Sequence, residues 1–280
     1  MRFTKMQGLG NDYVYLNCTG GLPDNLPELA VRLSDRHFGV GADGLICICP
    51  SERADFGMRI FNADGSEGAM CGNGIRCLGK YVYDKGLTRK TSLLTVETAS
   101  GVRYLELFLR DGLVQSVLVD MGRPELSPPV KLMAAGRTWQ AVPVSVGNPH
   151  AVVFCGGVDA LNLAELGPAL ERHPAFPDRV NVEFAQSDDR GGLKVRVWER
   201  GSGETLACGT GACAALTAAA RAGLVSRHTT VHLPGGELEV RWAEENGHLY
   251  MTGPAVTVFE GEISLENENY RCVREKNAVQ

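Results

Sequence analysis

The sequence predicts an α+β fold built from two pseudo-symmetric, duplicated domains, each a mainly antiparallel sheet wrapped around a central helix. Three observations predict it. First, Cys71-Gly72-Asn73-Gly74 returns as Cys208-Gly209-Thr210-Gly211, a step of 137 residues (from 71 to 208). Second, the same step carries Gly10-Asn11 onto Gly147-Asn148, and Leu26, Leu29 and Leu33 onto Leu163, Leu166 and Leu170. It also carries Arg59 onto Arg196 and Glu67 onto Glu204, with no gap between residue 10 and about residue 77. Third, residues 212–222 are almost all small and apolar, which requires burial on every side, and alternating segments are available to surround them.

Each half yields the same order of elements. A strand at 13–17 is matched at 151–154. Leu26, Leu29 and Leu33 recur at the spacing of one helical face, and Pro27 suits a first helical turn. Strands follow at 45–49 and 58–61, matched at 182–185 and 193–198. A glycine-bearing turn then leads into Cys-Gly-x-Gly and a second helix, which Gly223 ends in the second half. Alternating segments at 102–107 and 237–242 close the two units. The repeat slips by two residues where Thr95-Val96 matches Thr230-Val231, so a turn has changed length. The proline-bearing stretch 123–129 reads as a linker, which divides the chain into 1–125, carrying Cys71, and 126–280, carrying Cys208.

With 280 residues, 44% of them hydrophobic and 22% charged, the chain has the composition of a globular protein. A net charge of -5 and the lack of a Lys/Arg stripe argue against nucleic acid as a partner. No apolar run is long enough to span a bilayer, and the first residues hold no signal-peptide core. A cytoplasmic protein without a membrane partner is therefore expected. Nine cysteines, an odd number, exclude a fully paired disulfide framework within one chain. Gly39-Val40-Gly41-Ala42-Asp43-Gly44 matches a dinucleotide-loop pattern, but a helix precedes it and a strand follows, the reverse of what that loop needs.

Cys71 and Cys208 each stand before a Gly-x-Gly that opens a helix. Unpaired N–H groups and the positive end of the helix dipole meet there, which lowers a thiol's pKa and cradles a carboxylate. Two such units across one pocket would hold an amino acid's carboxylate between the helix starts, with one sulfur on each face of the α-carbon. One thiolate takes the α-proton, the other thiol returns one to the opposite face, and N–H donors stabilise the developing charge. No cofactor and no metal are needed. Cys18, Cys155 and Cys272 read as space-filling. Cys47 and Cys49 share one face of a strand, and Cys77 and Cys213 lie off the helical face of their motif cysteines.

The chain resembles the diaminopimelate epimerase family. The resemblance is carried by Gly8-Leu9-Gly10-Asn11-Asp12, residues 36–44, Phe61-Asn62-Ala63-Asp64-Gly65-Ser66 and Met70-Cys71-Gly72-Asn73-Gly74. In the second half it is carried by Gly147-Asn148-Pro149-His150, Arg179-Val180-Asn181, Trp198-Glu199-Arg200-Gly201 and Ala207-Cys208-Gly209-Thr210-Gly211. It implies the diaminopimelate epimerase-like fold and interconversion of LL- and meso-diaminopimelate without pyridoxal phosphate, in lysine and peptidoglycan precursor synthesis. Cys71 and Cys208 are then catalytic. Gly72, Asn73, Gly209 and Thr210 are expected to hold the reacting carboxylate. Asn11, Asn62, Asn148, Asn181, Glu199 and Arg200 are expected to bind substrate. His150 and Glu199 are candidates for setting the thiol protonation states. A homodimer is also implied. Where some members carry Gln, this chain has Gly44, so no side-chain contact is assigned there.

Chemistry at the α-carbon is symmetric, and specificity is not. The mismatched pairs Asn62/Glu199, Ala63/Arg200 and Gly44/Asn181 should therefore mark the distal end of the substrate. Arg200, opposite an alanine, suggests a fork for one distal carboxylate. A proline or hydroxyproline racemase uses the same two-thiol logic but usually has His where this chain has Asn73. A non-catalytic amino-acid-binding protein has no need of two intact thiols, and a thiol redox protein would want a C-x-x-C motif, which does not occur here.

Overall fold

The computed structural model describes residues 1–188 and 190–264; the reading of Cys272 lies outside the described residues. The first half opens with the antiparallel pair Arg2–Gly8 and Asn11–Asn17. Helix α1 (Leu26–Ser34) then crosses to Gly44–Cys49, which runs parallel to Asn11–Asn17. Phe56–Asn62 returns antiparallel, and α2 (Gly72–Asp84) crosses to the parallel strand Leu94–Thr98. The hairpin Gly101–Arg110 and Leu113–Gly122 ends the half. Parallel pairs need crossovers, and the helices supply both.

The second half repeats each step. Arg137–Ser145 pairs antiparallel with Pro149–Phe154, and α3 (Leu163–Glu171) leads to the parallel strand Asn181–Ser187. Leu193–Glu199 returns antiparallel, α4 (Gly209–Arg221) leads to the parallel strand His228–Leu233, and Gly236–Trp242 and Leu249–Pro254 follow. Two short strands, Glu67–Gly68 and Gly203–Thr205, stand just before the two motif cysteines.

Burial explains the placement of the helices. α1 buries Leu26, Leu29, Ala30 and Leu33 on one outer face of its sheet, against Val14, Leu16, Cys47 and Cys49. α3 does the same with Leu163, Leu166 and Leu170 against Val153, Val182 and Phe184. The alternate residues Ile46 and Ile48 point the other way, into a central core that joins both halves. The strand Gly44–Cys49 is thus apolar on both faces, which is why it reads as a continuous apolar run. α4 is buried from Gly209 through Ala219. It ends where Gly223 takes φ +72° and Leu224 N–H donates to Ala219 O at 3.0 Å.

The halves exchange their last strands. Leu249–Pro254 pairs with Leu113–Gly122, which joins the two sheets. Val256–Glu262, at the end of the second half, pairs with Arg2–Gly8 of the first. Val130–Ala134 pairs with Arg137–Ser145. The stretch 123–129, expected to be a linker, also contains the strand Glu125–Leu126, which pairs with Val144 and Ser145. Its prolines set the length of that strand but leave Glu125 and Leu126 free to pair. Among the described residues no helix is long and apolar enough to cross a membrane.

Candidate active site

Cys71 caps α2 and Cys208 caps α4. Both have extended backbones, with φ -131° and -121°, and both sulfurs accept a first-turn N–H, from Gly74 at 3.3 Å and from Gly211 at 3.4 Å. The sulfur stands where a serine or aspartate oxygen usually caps a helix. The two helix starts touch. A Cβ on Gly72 would lie 3.6 Å from Gly209 Cα, and one on Gly209 would lie 2.9 Å from Met251 Sδ. Glycine is what lets the two backbones approach this closely.

A cleft of about 850 Å³ opens over this junction. Asn11, Asn62, Cys71, Gly72 and Asn73 line it from the first half; Asn148, Glu199, Arg200, Cys208, Gly209 and Thr210 line it from the second. Asn62 donates Nδ2–H to Ser66 Oγ at 2.9 Å. The exposed Arg200 donates Nη1–H to Asp178 O at 3.0 Å. Two of the expected residues stand behind the cleft wall. Asn181 donates Nδ2–H to Pro149 O at 3.0 Å and accepts Arg200 N–H at 2.8 Å, so its amide fixes the backbone that carries Arg200. His150 is fully buried beneath Asn148.

The two asparagines that precede the sulfurs are braced differently. The Cys71 thiol donates to Asn11 Oδ1 at 3.3 Å, and Asn11 Nδ2–H donates to Asp43 Oδ2 at 2.8 Å. Asp43 is held in turn by Arg36, whose side chain is 57% exposed. In the second half Cys208 Sγ meets Thr210 Oγ1 at 3.4 Å, and Asn148 Nδ2–H donates to that hydroxyl at 3.3 Å. Asn148 Oδ1 faces His150 Nε2 at 3.0 Å, and His150 Nδ1 meets Glu183 Oε1 at 2.7 Å, both side chains fully buried. Asn73 donates across the junction to Ala207 O at 3.0 Å.

The expected lowering of both thiol pKa values is not what the structure shows. Burial pushes Cys71 up, against N–H donation from Gly74 and Asn73 and a hydrogen bond with Tyr13; Glu199 pushes it further up. Cys208 lies well above the ordinary thiol value, again first through burial, then through the negative charges of Glu199 and Glu183. Thr210 and Gly211 oppose this. Desolvation penalises the whole thiolate charge, whereas a helix start offers only partial charges, so burial outweighs the helix ends here. Glu199 is itself raised by burial, against a hydrogen bond from Thr205 Oγ1 at 2.6 Å.

Tyr13, Arg36, Asp43, Glu183 and Thr205 escaped the sequence reading. A signal existed for two of them, because the step of 137 residues places Tyr13 opposite His150 and Ile46 opposite Glu183. A carboxylate matched by isoleucine within an apolar strand is a mark of function.

The profile of the family described as Diaminopimelate epimerase matches residues 3–127 and 142–258, a stretch in each half. A diaminopimelate epimerase of Acetivibrio thermocellus is 54% identical over 280 residues, covering 95% of this chain and 99% of that protein. One from Methanococcus maripaludis is 50% identical over 278 residues, covering 95% of this chain and 100% of that protein. Among solved structures, a hydroxyproline epimerase from Agrobacterium vitis superposes with a TM-score of 0.71 at 19% identity, covering 96% of this chain and 94% of that one. A Bacillus anthracis phenazine biosynthesis protein of the PhzF family gives 0.72 at 18%, covering 94% and 99%. These two likenesses show the shared duplicated α+β fold. Identity of about half over nearly the whole length, together with a profile match in both halves, shows that this chain belongs to the diaminopimelate epimerase family.

Proposed function

We propose that the chain interconverts LL- and meso-diaminopimelate by proton transfer between Cys71 and Cys208. The observation that carries this reading is that both sulfurs cap helices whose starts abut at Gly72 and Gly209, within one cleft. The α-carboxylate sits against the N–H groups of Gly72, Asn73, Gly209 and Thr210, with one sulfur on each face of the α-carbon. When Cys71 is the thiolate, it takes the α-proton, and the electron pair flows into the carboxylate, which becomes a dianion held by preorganised N–H donors. The Cys208 thiol then gives its proton to the opposite face. Cys71 ends as thiol and Cys208 as thiolate, which is the state that runs the reverse reaction. No external group enters this balance.

Burial raises both thiols in the free protein and so favours their neutral forms; the transfer requires one of them to lose its proton as substrate arrives. Glu199, half-buried beside Cys208, and His150, which acts through Asn148 and Thr210, are the groups that set this state. Asn11 and Asn148 position the two sulfurs, and Asn62 and Glu199 hold the substrate's polar groups. Arg200, kept in place by Asn181, receives the distal carboxylate. A cytoplasmic homodimer, with its halves divided at 1–125 and 126–280, completes the reading. It places the enzyme in lysine and peptidoglycan precursor synthesis.

Proton NMR of the protein with LL-diaminopimelate in D2O, with reductant, tests it. Deuterium should enter the α-position as meso isomer forms. Exchange with proline or hydroxyproline instead would move the assignment to the racemases. No exchange with any of the three would leave a binding role.

A further inference from the structure

Arg76 is a fully buried side chain in a place where physics opposes a cation. It lies in the first turns of α2 and curls back, so Nη1 donates to Gly72 O at 3.2 Å. A positive charge at the positive end of a helix is unfavourable, and so is its removal from water. Among the described residues no carboxylate pairs with it. Nε donates to Pro254 O at 3.2 Å, Nη1 lies 3.8 Å from Met251 Sδ, and Nη2 is buried without a hydrogen-bond partner. Room for it is made by two glycines, since a Cβ on Gly8 would lie 2.9 Å from Nη2 and one on Gly253 would lie 3.0 Å from Nε. The repeat places Cys213 opposite it, so the second half has no such cation.

The peptide unit that Arg76 grips is part of the site. Its carbonyl belongs to Gly72 and its N–H to Asn73, the first-turn donor next to the Gly74 N–H that the Cys71 sulfur accepts. A cation on the carbonyl draws electron density along the amide and makes that N–H a stronger donor. We propose that Arg76 is a positioning residue that acts through the Gly72–Asn73 peptide, strengthening the donor that α2 offers to negative charge on Cys71 and on the adjoining carboxylate. The first helix start is then the more anion-binding of the two. This rests on the two-thiol reading above. The titratable groups that face Arg76 are Cys71, Cys77, Tyr15 and Cys213. Cys71 is also faced by Tyr13 and by Glu199, neither of which the test changes.

The test measures alkylation of each thiol by iodoacetamide across pH, read by mass spectrometry on substrate-free protein. Arg76→Gln should slow Cys71 alkylation about tenfold at a fixed pH below its midpoint, a shift of about one pH unit, with Cys208 moving by less than about a third of that. Arg76→Lys keeps the charge without the fork and should recover part of the rate, to within about threefold of the parent. If the Gln variant does not fold, the Lys variant decides alone, with a slowing of about threefold confined to Cys71. A purely structural role predicts equal shifts in both thiols, or none, alongside a lower melting temperature; either overturns the proposal. Alkylation needs no turnover, so its failure is separate from failure of the exchange with LL-diaminopimelate.

Discussion

The surroundings of the two cysteines differ more than the cysteines do. Around Cys71 the chain of contacts runs through Asn11 to Asp43 and ends at the exposed Arg36. Around Cys208 it runs through Thr210 and Asn148 to His150 and ends at the buried Glu183. The first half sets an aspartate paired with Arg36, and the buried Arg76, near its helix start; the second sets the carboxylates of Glu183 and Glu199 near its own. Duplication preserved the two capping sulfurs and let their supports diverge. The two-thiol proposal therefore gives the sulfurs one mechanism but different electrostatic surroundings.

Removing the shared part tests the symmetry first. Cys71→Ala and Cys208→Ala should each lower epimerisation by about 10⁴-fold, measured by NMR from either isomer. A variant that kept more than a tenth of the activity would end the two-thiol account. The supports come next. His150→Ala leaves Glu183 buried without its partner and should cost about 3–5 kcal/mol in urea unfolding. The corresponding cut in the first half, Arg36→Ala, removes a largely exposed side chain that pairs with Asp43 and Asp12 and should cost about 1 kcal/mol. Equal costs would mean that burial does not separate the two braces.

Specificity is a smaller term. Arg200→Met should lower kcat/KM for diaminopimelate about 10–100-fold, the worth of a charge-assisted hydrogen bond. An unchanged value would move the distal carboxylate elsewhere. The smallest effect belongs to Glu199, which burial raises above its ordinary value of 4.5. The folded state then holds the proton more tightly than the unfolded state. The cost to stability is absent below pH 4.5 and grows as pH rises through the folded value. Glu199→Gln should therefore unfold at higher urea than the parent at pH 8, and the gain should vanish by about pH 4. A gain that persisted at pH 4 would contradict the burial of that carboxyl.

Much of this was legible in the sequence because repetition carries geometry. The paired Cys-Gly-x-Gly motifs placed both helix starts, and the leucine triplets placed α1 and α3. The first strand, Arg2–Gly8, and the exchanged strand, Val256–Glu262, were not read, because their pairing links positions at opposite ends of the chain and leaves no local pattern. Most of the polar residues that line the cleft were legible beside the motifs. Glu183 and Tyr13 were not, since each sits within a strand and shows itself only in comparison with its opposite in the other half. The thiol protonation was misjudged because a sequence shows a helix start but not how deeply it is buried.

The exchange of strands between the halves bears on how the chain acquires its shape. Arg2 pairs with Glu262, and Val256 with Gln7. During synthesis the first half therefore emerges with one sheet edge unpaired, and that edge waits until residues 256–262 have left the ribosome. An edge exposed for so long invites pairing with other chains. The final pairing joins residues 2 and 262, far apart in sequence, and such closures are slow to nucleate. The first half is therefore a late finisher although it is made first, and a truncation at its C-terminal boundary would leave an aggregation-prone edge instead of half an enzyme.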